Sequence, residues 1–280
     1  MKFSLLIANY NNGIFFKDCY DSIVSQTYTD WEVIVVDDRS TDDSIEVINN
    51  LIRDDKRFTL YVNDKNYGCG YTKHKCAGLA TGEICGFVDP DDALVPNALQ
   101  EHSLCYQQYN DHVLIYSGYF LCNEKLVSTG ITSQSEIADT TDKYYFNLKG
   151  QVTHFATFVR NAYNKTSGID EWMRRAVDQD LYLKMSEVGS FYFLDKPLYL
   201  YRHHTGGISN PKNGDTTYFW KWYAITQAAK RRDINIEDLF TQHFIKRTHY
   251  ERIKKYYNNS WRLKVYRQMA SFKNFLKHFC

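Results

Sequence analysis

The chain has 280 residues, of which 44% are hydrophobic, and its formal net charge at pH 7 is +1. This length and apolar content are enough for one large domain, or for a catalytic domain with an extension. The near-neutral charge argues against a nucleic-acid partner, because the chain has no strong positive field.

The cysteines and the apolar runs indicate the compartment. The seven cysteines are scattered and form no CxxC pair, which fits a reducing cytosol better than a disulfide framework. The N-terminal apolar run is too short for a signal peptide, and no stretch of about 18 apolar residues predicts a membrane-spanning helix. We therefore expect a cytoplasmic protein.

Residues 1–100 alternate between strand and helix patterns. Apolar and β-branched runs predict the strands, and helix-spaced apolar residues predict the helices between them. The predicted strands are 3–8, 31–36, 58–62 and 84–88, and the predicted helices are 15–26, 44–52 and 71–80. This alternation predicts an α/β fold with a Rossmann-like, mostly parallel sheet and flanking helices.

The pattern is less regular in the second half of the chain. Strands are predicted at 113–120, 152–159 and 191–194, and a helix at 181–186 that extends towards 188. Residues 126–147 are polar and rich in turn formers, which predicts a loop. From residue 218 to the end the pattern is helical, and we expect a C-terminal helical extension.

Polar clusters follow three of the predicted strands. They are Ala8-Asn9-Tyr10-Asn11-Asn12, Asp37-Asp38-Arg39-Ser40 and Asp89-Pro90-Asp91-Asp92. Each cluster alone is typical of a turn or a helix cap. Because ligands bind beyond the carboxyl ends of parallel strands, we expect the three to form one binding site.

The third cluster carries the most specific signal. Three carboxylates within four residues repel one another by about 1 kcal/mol per pair even in water, unless a cation lies among them. Mg²⁺ or Mn²⁺ suits such hard oxygen ligands and is usually completed by substrate phosphates. The cluster therefore predicts a divalent ion and a diphosphate-bearing ligand, with Asp92 open to a second interpretation as a helix cap.

Four segments together resemble the nucleotide-binding half of inverting glycosyltransferases of family 2, which have the GT-A fold. They are SLLIANYNN, SIVSQTYTDWEVIVVDDRSTDDS, NYGCGYTKHKCAGLATGE and GFVDPDDALVPNAL. They cover about the first hundred residues in family order and spacing. The resemblance implies a nucleotide-sugar donor, a divalent metal held by an Asp-x-Asp element, and inversion at the anomeric carbon.

The resemblance assigns roles to single residues of this chain. Asp38 matches the acid that contacts the nucleobase, and three residues match the wall around base and ribose: Ala8, Asn9 and Tyr10. Asp89 matches the first acid of the Asp-x-Asp element, near ribose or metal, and Asp91 matches the metal ligand.

Lys73 marks a departure from the family pattern. The family has an arginine where this chain has Lys73, so the positive charge for contacting base or diphosphate is kept. A lysine cannot reproduce the two-pronged contact of an arginine.

The general base is expected in the segment RRAVDQDLYLKM. It resembles the family's Glu-Asp-x-Asp-Leu element, which places the base at Asp178 although Val177 replaces the preceding glutamate. An inverting transfer needs one carboxylate to take the proton of the acceptor hydroxyl. The alternative is that Asp178 and Asp180 are acids favoured at a helix N-terminus; we prefer that interpretation for Asp180 only.

A last motif, YLYRHHTGGIS, resembles the family's Tyr-Arg-x-His segment. It makes Arg202 a charge partner for the diphosphate and His204 a metal or phosphate ligand. The alternative for His204 is a structural histidine.

Residues 241–280 differ from the rest in charge. They contain ten lysines and arginines against one acid, with aromatic residues between them. Such a segment can lie on an anionic bilayer surface, here the inner face of the plasma membrane, or it can be a solvated helix packed on the domain.

The resemblance implies a metal-dependent inverting glycosyltransferase, and the acidic cluster predicts that the metal is Mn²⁺ or Mg²⁺. The expected donor is a UDP-sugar, and the acceptor is a glycan or a lipid-linked glycan. We divide the chain into a nucleotide-sugar half at 1–100, an acceptor and base half at 101–212, and a basic extension at 213–280. A nucleotidyltransferase is the runner-up, although no basic residue lies in its expected loop at 8–13; a non-catalytic nucleotide-sugar scaffold is the other alternative.

Overall fold

The computed structural model describes residues 1–132, 136–206 and 214–243. It has the predicted α/β architecture. Its strands are β1 (Phe3–Asn9), β2 (Trp31–Asp37), β3 (Phe58–Val62), β4 (Ile84–Phe87), β5 (Ala93–Leu94), β6 (Leu114–Cys122), β7 (Ser128–Thr132), β8 (Ala156–Val159) and β9 (Phe191–Arg202). Its helices are α1 (Gly13–Val24), α2 (Ser44–Ile52), α3 (Cys69–Leu79), α4 (Ala98–Gln108), α5 (Arg160–Tyr163), α6 (Val177–Ser186), α7 (Gly214–Arg231) and α8 (Glu237–His243).

The first half forms the doubly wound, parallel part of the sheet. Strands run in the order β3-β2-β1-β4, all parallel, and the register pairs Asn9 with Asp37. The carboxyl ends of β1, β2 and β4 therefore meet at one edge of the sheet. All three polar clusters leave the sheet at this edge.

The second half continues the same sheet with mixed directions. β8 pairs antiparallel with both β4 and β6, and β9 runs parallel to β6. The short β5 pairs with β9, matching Ala93 to Leu200. This pairing brings the end of β9 beside the acidic cluster that precedes β5.

The core lies between the sheet and the helices that cover it. β1 and β2 are near-continuous apolar runs because helices cover both faces of a parallel sheet. Side chains with almost no exposure fill this core: Phe3, Leu5, Ile7, Phe16, Ile23, Val33, Val35, Ile48, Leu99, Ile115, Phe155 and Tyr199. The core holds the sheet edge that carries the polar clusters.

Several predicted boundaries in the second half are wrong. The strand predicted at 191–194 extends to Arg202, and the helical region predicted from 218 begins at Gly214. The loop predicted at 126–147 contains β7, a polar strand without apolar alternation, which follows a turn in which Asn123 accepts the N–H groups of Lys125 and Val127. The strand predicted from 152 begins at Ala156, and the helix predicted from 181 begins at Val177. Polar residues 178–180 hid that first turn, because their side chains bond within the fold.

Residue contacts divide the chain into two units, Met1–Ile234 and Asn235–Cys280. α7 belongs to the first unit, where it packs against α6, and α8 belongs to the second. Most of the basic segment, residues 244–280, lies outside the described residues. None of the described helices is long and apolar enough to span a membrane.

Candidate active site

The first two polar clusters are joined by hydrogen bonds. Asn9 at the end of β1 donates to Asp37 Oδ2 at 2.7 Å and to Ser40 Oγ at 3.3 Å. Asp37 also accepts the backbone N–H of Ser40 at 2.7 Å. Tyr10 lies beside them with 44% of its surface exposed, and Ala8 is half-buried. The three residues predicted to wall the nucleobase thus lie at the carboxyl end of β1, where Tyr10 presents an exposed aromatic ring.

Asp38 is buried and bonded within its own chain. Oδ1 accepts the side-chain amide of Asn63 at 2.8 Å and the backbone N–H of Tyr67 at 2.9 Å. Oδ2 accepts the N–H of Gly68 at 2.7 Å. Asp38 therefore fixes the loop that leads into α3, and its contact with a nucleobase stays a prediction.

Lys73 joins two predicted site residues that are far apart in sequence. Its ammonium nitrogen lies 2.8 Å from Asp178 Oδ1 and 3.3 Å from Asp89 Oδ1. The lysine side chain is 6% exposed, whereas the two carboxylates are about one-third exposed. One buried cation thus holds two carboxylates that both reach solvent.

His154 completes this group, although sequence reasoning missed it. Nε2 of His154 lies 3.8 Å from Asp89 Oδ2 and 3.8 Å from Asp178 Oδ2. The ring stacks on Tyr199, with centroids 5.2 Å apart. The residue falls inside the stretch predicted as a strand, where a single histidine gives no signal that it faces a site. Only the fold places it between the two acids.

The pKa values in this group follow from burial and charge. Burial disfavours the ionised form of Asp178, but the charge and hydrogen bond of Lys73, together with the electrostatic interaction with His154, outweigh it, so the pKa of Asp178 is lowered. Burial opposes the charge of Lys73, but Asp178 and Asp89 outweigh it and raise its pKa well above the usual value. Asp178 is therefore ionised at neutral pH and can accept a proton.

Asp91 contacts His204; both are among the predicted metal ligands, together with Asp89, and that role stays a prediction. Nε2 of His204 lies 2.9 Å from Asp91 Oδ2. The ring of His204 is held against Phe15, with centroids 4.6 Å apart. Burial and the charge of Asp89 raise the pKa of Asp91, and the hydrogen bond with His204 opposes that shift. A cation bound here would offset both the burial of Asp91 and the repulsion from Asp89.

Asp92 is not a helix cap, which corrects one of its two interpretations. α4 begins at Ala98, after Asn97, and Asp92 Oδ1 instead accepts the backbone N–H of Arg202 at 2.7 Å. Burial and repulsion from Asp91 and Asp89 raise its pKa well above the usual value. Asp92 thus anchors the end of β9 to the acidic cluster.

The buried side chain of Arg202 joins three segments of the chain by hydrogen bonds. Its guanidinium donates to Asp18 on α1 at 2.7 Å, to the carbonyl oxygen of Asp91 at 2.5 Å, and to the carbonyl oxygen of Glu124 at 2.5 Å. It also lies over the ring of Phe15, 4.7 Å from the centroid. Arg202 therefore holds the backbone of the acidic cluster in place, and its contact with a diphosphate stays a prediction. Residues 207–209 of its motif lie outside the described residues.

The donor atoms of Asp91 and His204 suit a divalent ion whose remaining coordination positions are filled by a bound ligand. Asp91 and His204 supply one oxygen and one nitrogen at hydrogen-bonding distance from each other. Among the described residues, no group of three His, Cys, Asp or Glu side chains could hold a metal. Two protein ligands leave positions for phosphate oxygens, as is usual for Mg²⁺ or Mn²⁺ at nucleotide sites.

A family model and several known proteins match this chain. The family model for glycosyl transferase family 2 matches residues 4–167. Among curated proteins, the chain is 31% identical over 238 residues to a chondroitin synthase of Pasteurella multocida, covering 83% of this chain and 24% of the relative. The chain spans about a quarter of the length of the first such relatives it matches.

Two solved structures show the same fold. TarS 1-349 of S. aureus in complex with UDP-GlcNAc has a TM-score of 0.65 at 21% identity, covering 79% of this chain and 64% of TarS 1-349. The mannosyltransferase PcManGT of Pyrobaculum calidifontis in complex with GDP-Man and Mn²⁺ has a TM-score of 0.55 at 13% identity. That match covers 98% of this chain and 86% of the mannosyltransferase.

Proposed function

Because this chain belongs to glycosyl transferase family 2, we propose that it transfers a sugar from a nucleoside-diphosphate donor to a glycan hydroxyl, with inversion at the anomeric carbon. The observation that carries the proposal is the group formed by Asp89, Lys73 and Asp178. It links the acidic cluster after β4 to an ionised carboxylate on α6 through one buried cation.

Asp178 is the proposed general base. As the acceptor oxygen attacks the anomeric carbon, Asp178 takes the hydroxyl proton and the bond to the diphosphate breaks. Lys73 and His154 keep the pKa of Asp178 low, so the carboxylate is ionised before the acceptor arrives. A single carboxylate on the acceptor side, with the leaving group opposite, is what a one-step inversion requires.

A divalent ion, Mn²⁺ or Mg²⁺, is part of the proposal. Asp91 and His204 would hold it, with Asp89 close to the ribose or the ion. When bound, it would stabilise the negative charge on the departing nucleoside diphosphate. The geometry supports this, because Asp91 Oδ2 and His204 Nε2 lie 2.9 Å apart beside the other acids of the cluster.

The proposed donor is a UDP-sugar and the proposed acceptor a growing glycan, free or lipid-linked. The UDP-GlcNAc complex of TarS supports the donor class, and the similarity to a chondroitin synthase supports a polysaccharide acceptor. Asn9 and Tyr10 would contact the base and ribose from one side. Asp38 would also contribute to binding the nucleobase, by holding the loop that leads into α3 in place.

Thermal unfolding with and without Mn²⁺ tests the donor site. We expect UDP and UDP-sugars to raise the melting temperature in the presence of Mn²⁺, and ADP to do so less, because a ligand that binds only the folded state stabilises it. Release of UDP from the same sugar donor on addition of an oligosaccharide then tests transfer. Donor binding without any release would instead support the non-catalytic scaffold.

A further inference from the structure

Four aromatic residues pack together beside α6, and we call them the aromatic platform: Trp172 and Phe219 are exposed, Tyr223 is half-buried and Trp220 is buried. Trp172 is 64% exposed and Phe219 is 54% exposed, although both are large apolar side chains. All four follow residue 167, where the match to the family ends. Exposed aromatic rings clustered in this way mark a binding surface more often than a random patch does.

The rings of the platform orient one another. Trp172 lies against Trp220 with centroids 5.1 Å apart and planes at 69°, and against Tyr223 at 5.7 Å. Phe219 lies against Trp220 at 5.2 Å and 79°. Edge contacts of this kind fix the ring of Trp172 while leaving much of its surface exposed.

Asp170 ties the platform to the backbone. Its Oδ1 accepts the N–H of Trp172 at 2.9 Å, and its Oδ2 accepts the hydroxyl of Tyr223 on α7 at 3.1 Å. The N–H of Asp170 in turn donates to Asp180 Oδ2 at 3.2 Å, on the helix that carries Asp178. The platform is therefore attached directly to the helix of the proposed base.

A second attachment runs to the helix of Lys73. The N–H of Gly70 on α3 donates to the carbonyl oxygen of Met173 at 2.9 Å. A Cβ at Gly70 would lie 2.4 Å from the carbonyl oxygen of Asp170, so only glycine permits this approach. The segment that carries Trp172 thus packs on the two helices that supply Lys73 and Asp178.

We propose that the aromatic platform is an acceptor subsite that stacks a pyranose ring of the glycan on Trp172. The proposal rests on the proposed function, since it extends the side of the site that carries the base. The faces of aromatic rings are electron-rich, and the axial C–H groups of a pyranose carry partial positive charge, so the two surfaces attract each other. Rigid aromatic rings also bind a sugar at little cost in side-chain entropy.

The surroundings favour a sugar over other partners. The side chain of Glu171 next to Trp172 is 53% exposed; one carboxylate oxygen lies 3.3 Å from His74 Nε2, and its oxygens can accept sugar hydroxyls. Two exposed rings are also much smaller than the buried core of a stable protein interface. A hydroxyl-rich ligand with one apolar face fits both observations.

Substitution of Trp172 tests the subsite by steady-state transfer to chondroitin and N-acetylglucosamine oligosaccharides. We expect Trp172→Ala to raise the KM for the acceptor at least about tenfold, the usual size for one anchoring aromatic side chain. Trp172→Phe should restore most of the loss, because a flat ring is retained. The affinity for UDP should not change. An unchanged acceptor KM in Trp172→Ala would overturn the proposal.

Tyr144→Ala is the matched control, because Tyr144 is an aromatic residue with 57% exposure outside the platform. If Tyr144→Ala raised the acceptor KM as much as Trp172→Ala, the effect would not be specific to the platform, and the proposal would also be overturned.

Direct binding of a chondroitin tetrasaccharide, followed by saturation-transfer NMR, separates the two proposals. Binding lost in Trp172→Ala, in a protein without transferase activity, would support the subsite and reject the function. Transfer with the same acceptor KM in the wild-type protein and in Trp172→Ala would support the proposed function and reject the subsite.

Discussion

Lys73 and Asp178 form a salt bridge at 2.8 Å between α3 and the first turn of α6, although 105 positions separate them in the sequence. The same ammonium nitrogen lies 3.3 Å from Asp89. Lys73 is buried and both of its partners are only partly exposed, so its charge acts through a medium that screens it little. Lys73 therefore stabilises the ionised form of the proposed base, Asp178, and also compensates part of the negative charge of the acidic cluster after β4.

Asp178→Asn should separate binding from transfer. The amide cannot take the acceptor proton, so we expect kcat to fall at least about 100-fold, the lower end of general-base contributions, while calorimetric UDP affinity changes little. Asp195→Asn, an exposed acid on β9, is the control and should retain full kcat. Near-normal turnover in Asp178→Asn would place the base elsewhere.

Lys73→Met should move the acid limb of the pH profile. Lys73 lowers the pKa of Asp178, so its removal leaves the effect of burial and raises that pKa. The base would then be protonated at higher pH, so the acid limb of kcat/KM should shift to higher pH. Lys17→Met, which removes an exposed lysine on α1, should leave the profile in place. A shift to lower pH would contradict this account.

Asp91→Ala should abolish the contribution of metal to donor binding. We expect the wild-type protein to bind UDP at least about tenfold more tightly with Mn²⁺ than with EDTA, since ion and diphosphate complete each other's coordination. In the variant, calorimetry should give the same weak affinity in both conditions. A variant that keeps the Mn²⁺ effect would show that Asp91 is not the ligand.

Glu32→Gln should lower stability in a pH-dependent way. Burial opposes the charge of Glu32, but hydrogen bonds from Lys2, Ser4 and Thr81 lower its pKa from 4.5 to about 2. The carboxylate therefore stabilises the fold above pH 4.5, and this contribution is lost as the pH falls towards 2. Urea unfolding should show a loss of about 1–2 kcal/mol at pH 7 that disappears near pH 2. The exposed Glu46→Gln should show no comparable pH dependence.

Removal of residues 241–280 should weaken binding to anionic vesicles. This segment has ten basic residues and one acid, and each basic residue near an anionic surface contributes about 1 kcal/mol. Sedimentation with phosphatidylserine vesicles should show salt-sensitive binding of the full chain and little binding of the truncated chain. Equal sedimentation of the two would mean that the tail does not contact the membrane.

The parallel half of the fold followed from local patterns. The strands and helices of residues 1–100 lie close to their predicted bounds, and α2 and β3 match them at both ends. Each of these elements has its own apolar period, which a single sequence shows directly. The second half of the fold could not be predicted as closely from local patterns. β7 is polar, and the first turn of α6 consists of polar residues whose side chains bond to other parts of the fold.

The sequence by itself determined the residue types and the order of the strand-end clusters, and these were enough to identify the family and the acids after β4. Only the tertiary structure decided which charges meet. It paired Lys73 with Asp178 and Asp89, placed His154 between those acids, and assigned Asp92 to the backbone of β9. Local periodicity reflects which face of an element is buried, whereas ion pairs and hydrogen bonds across the sheet depend on distances that only the folded chain fixes.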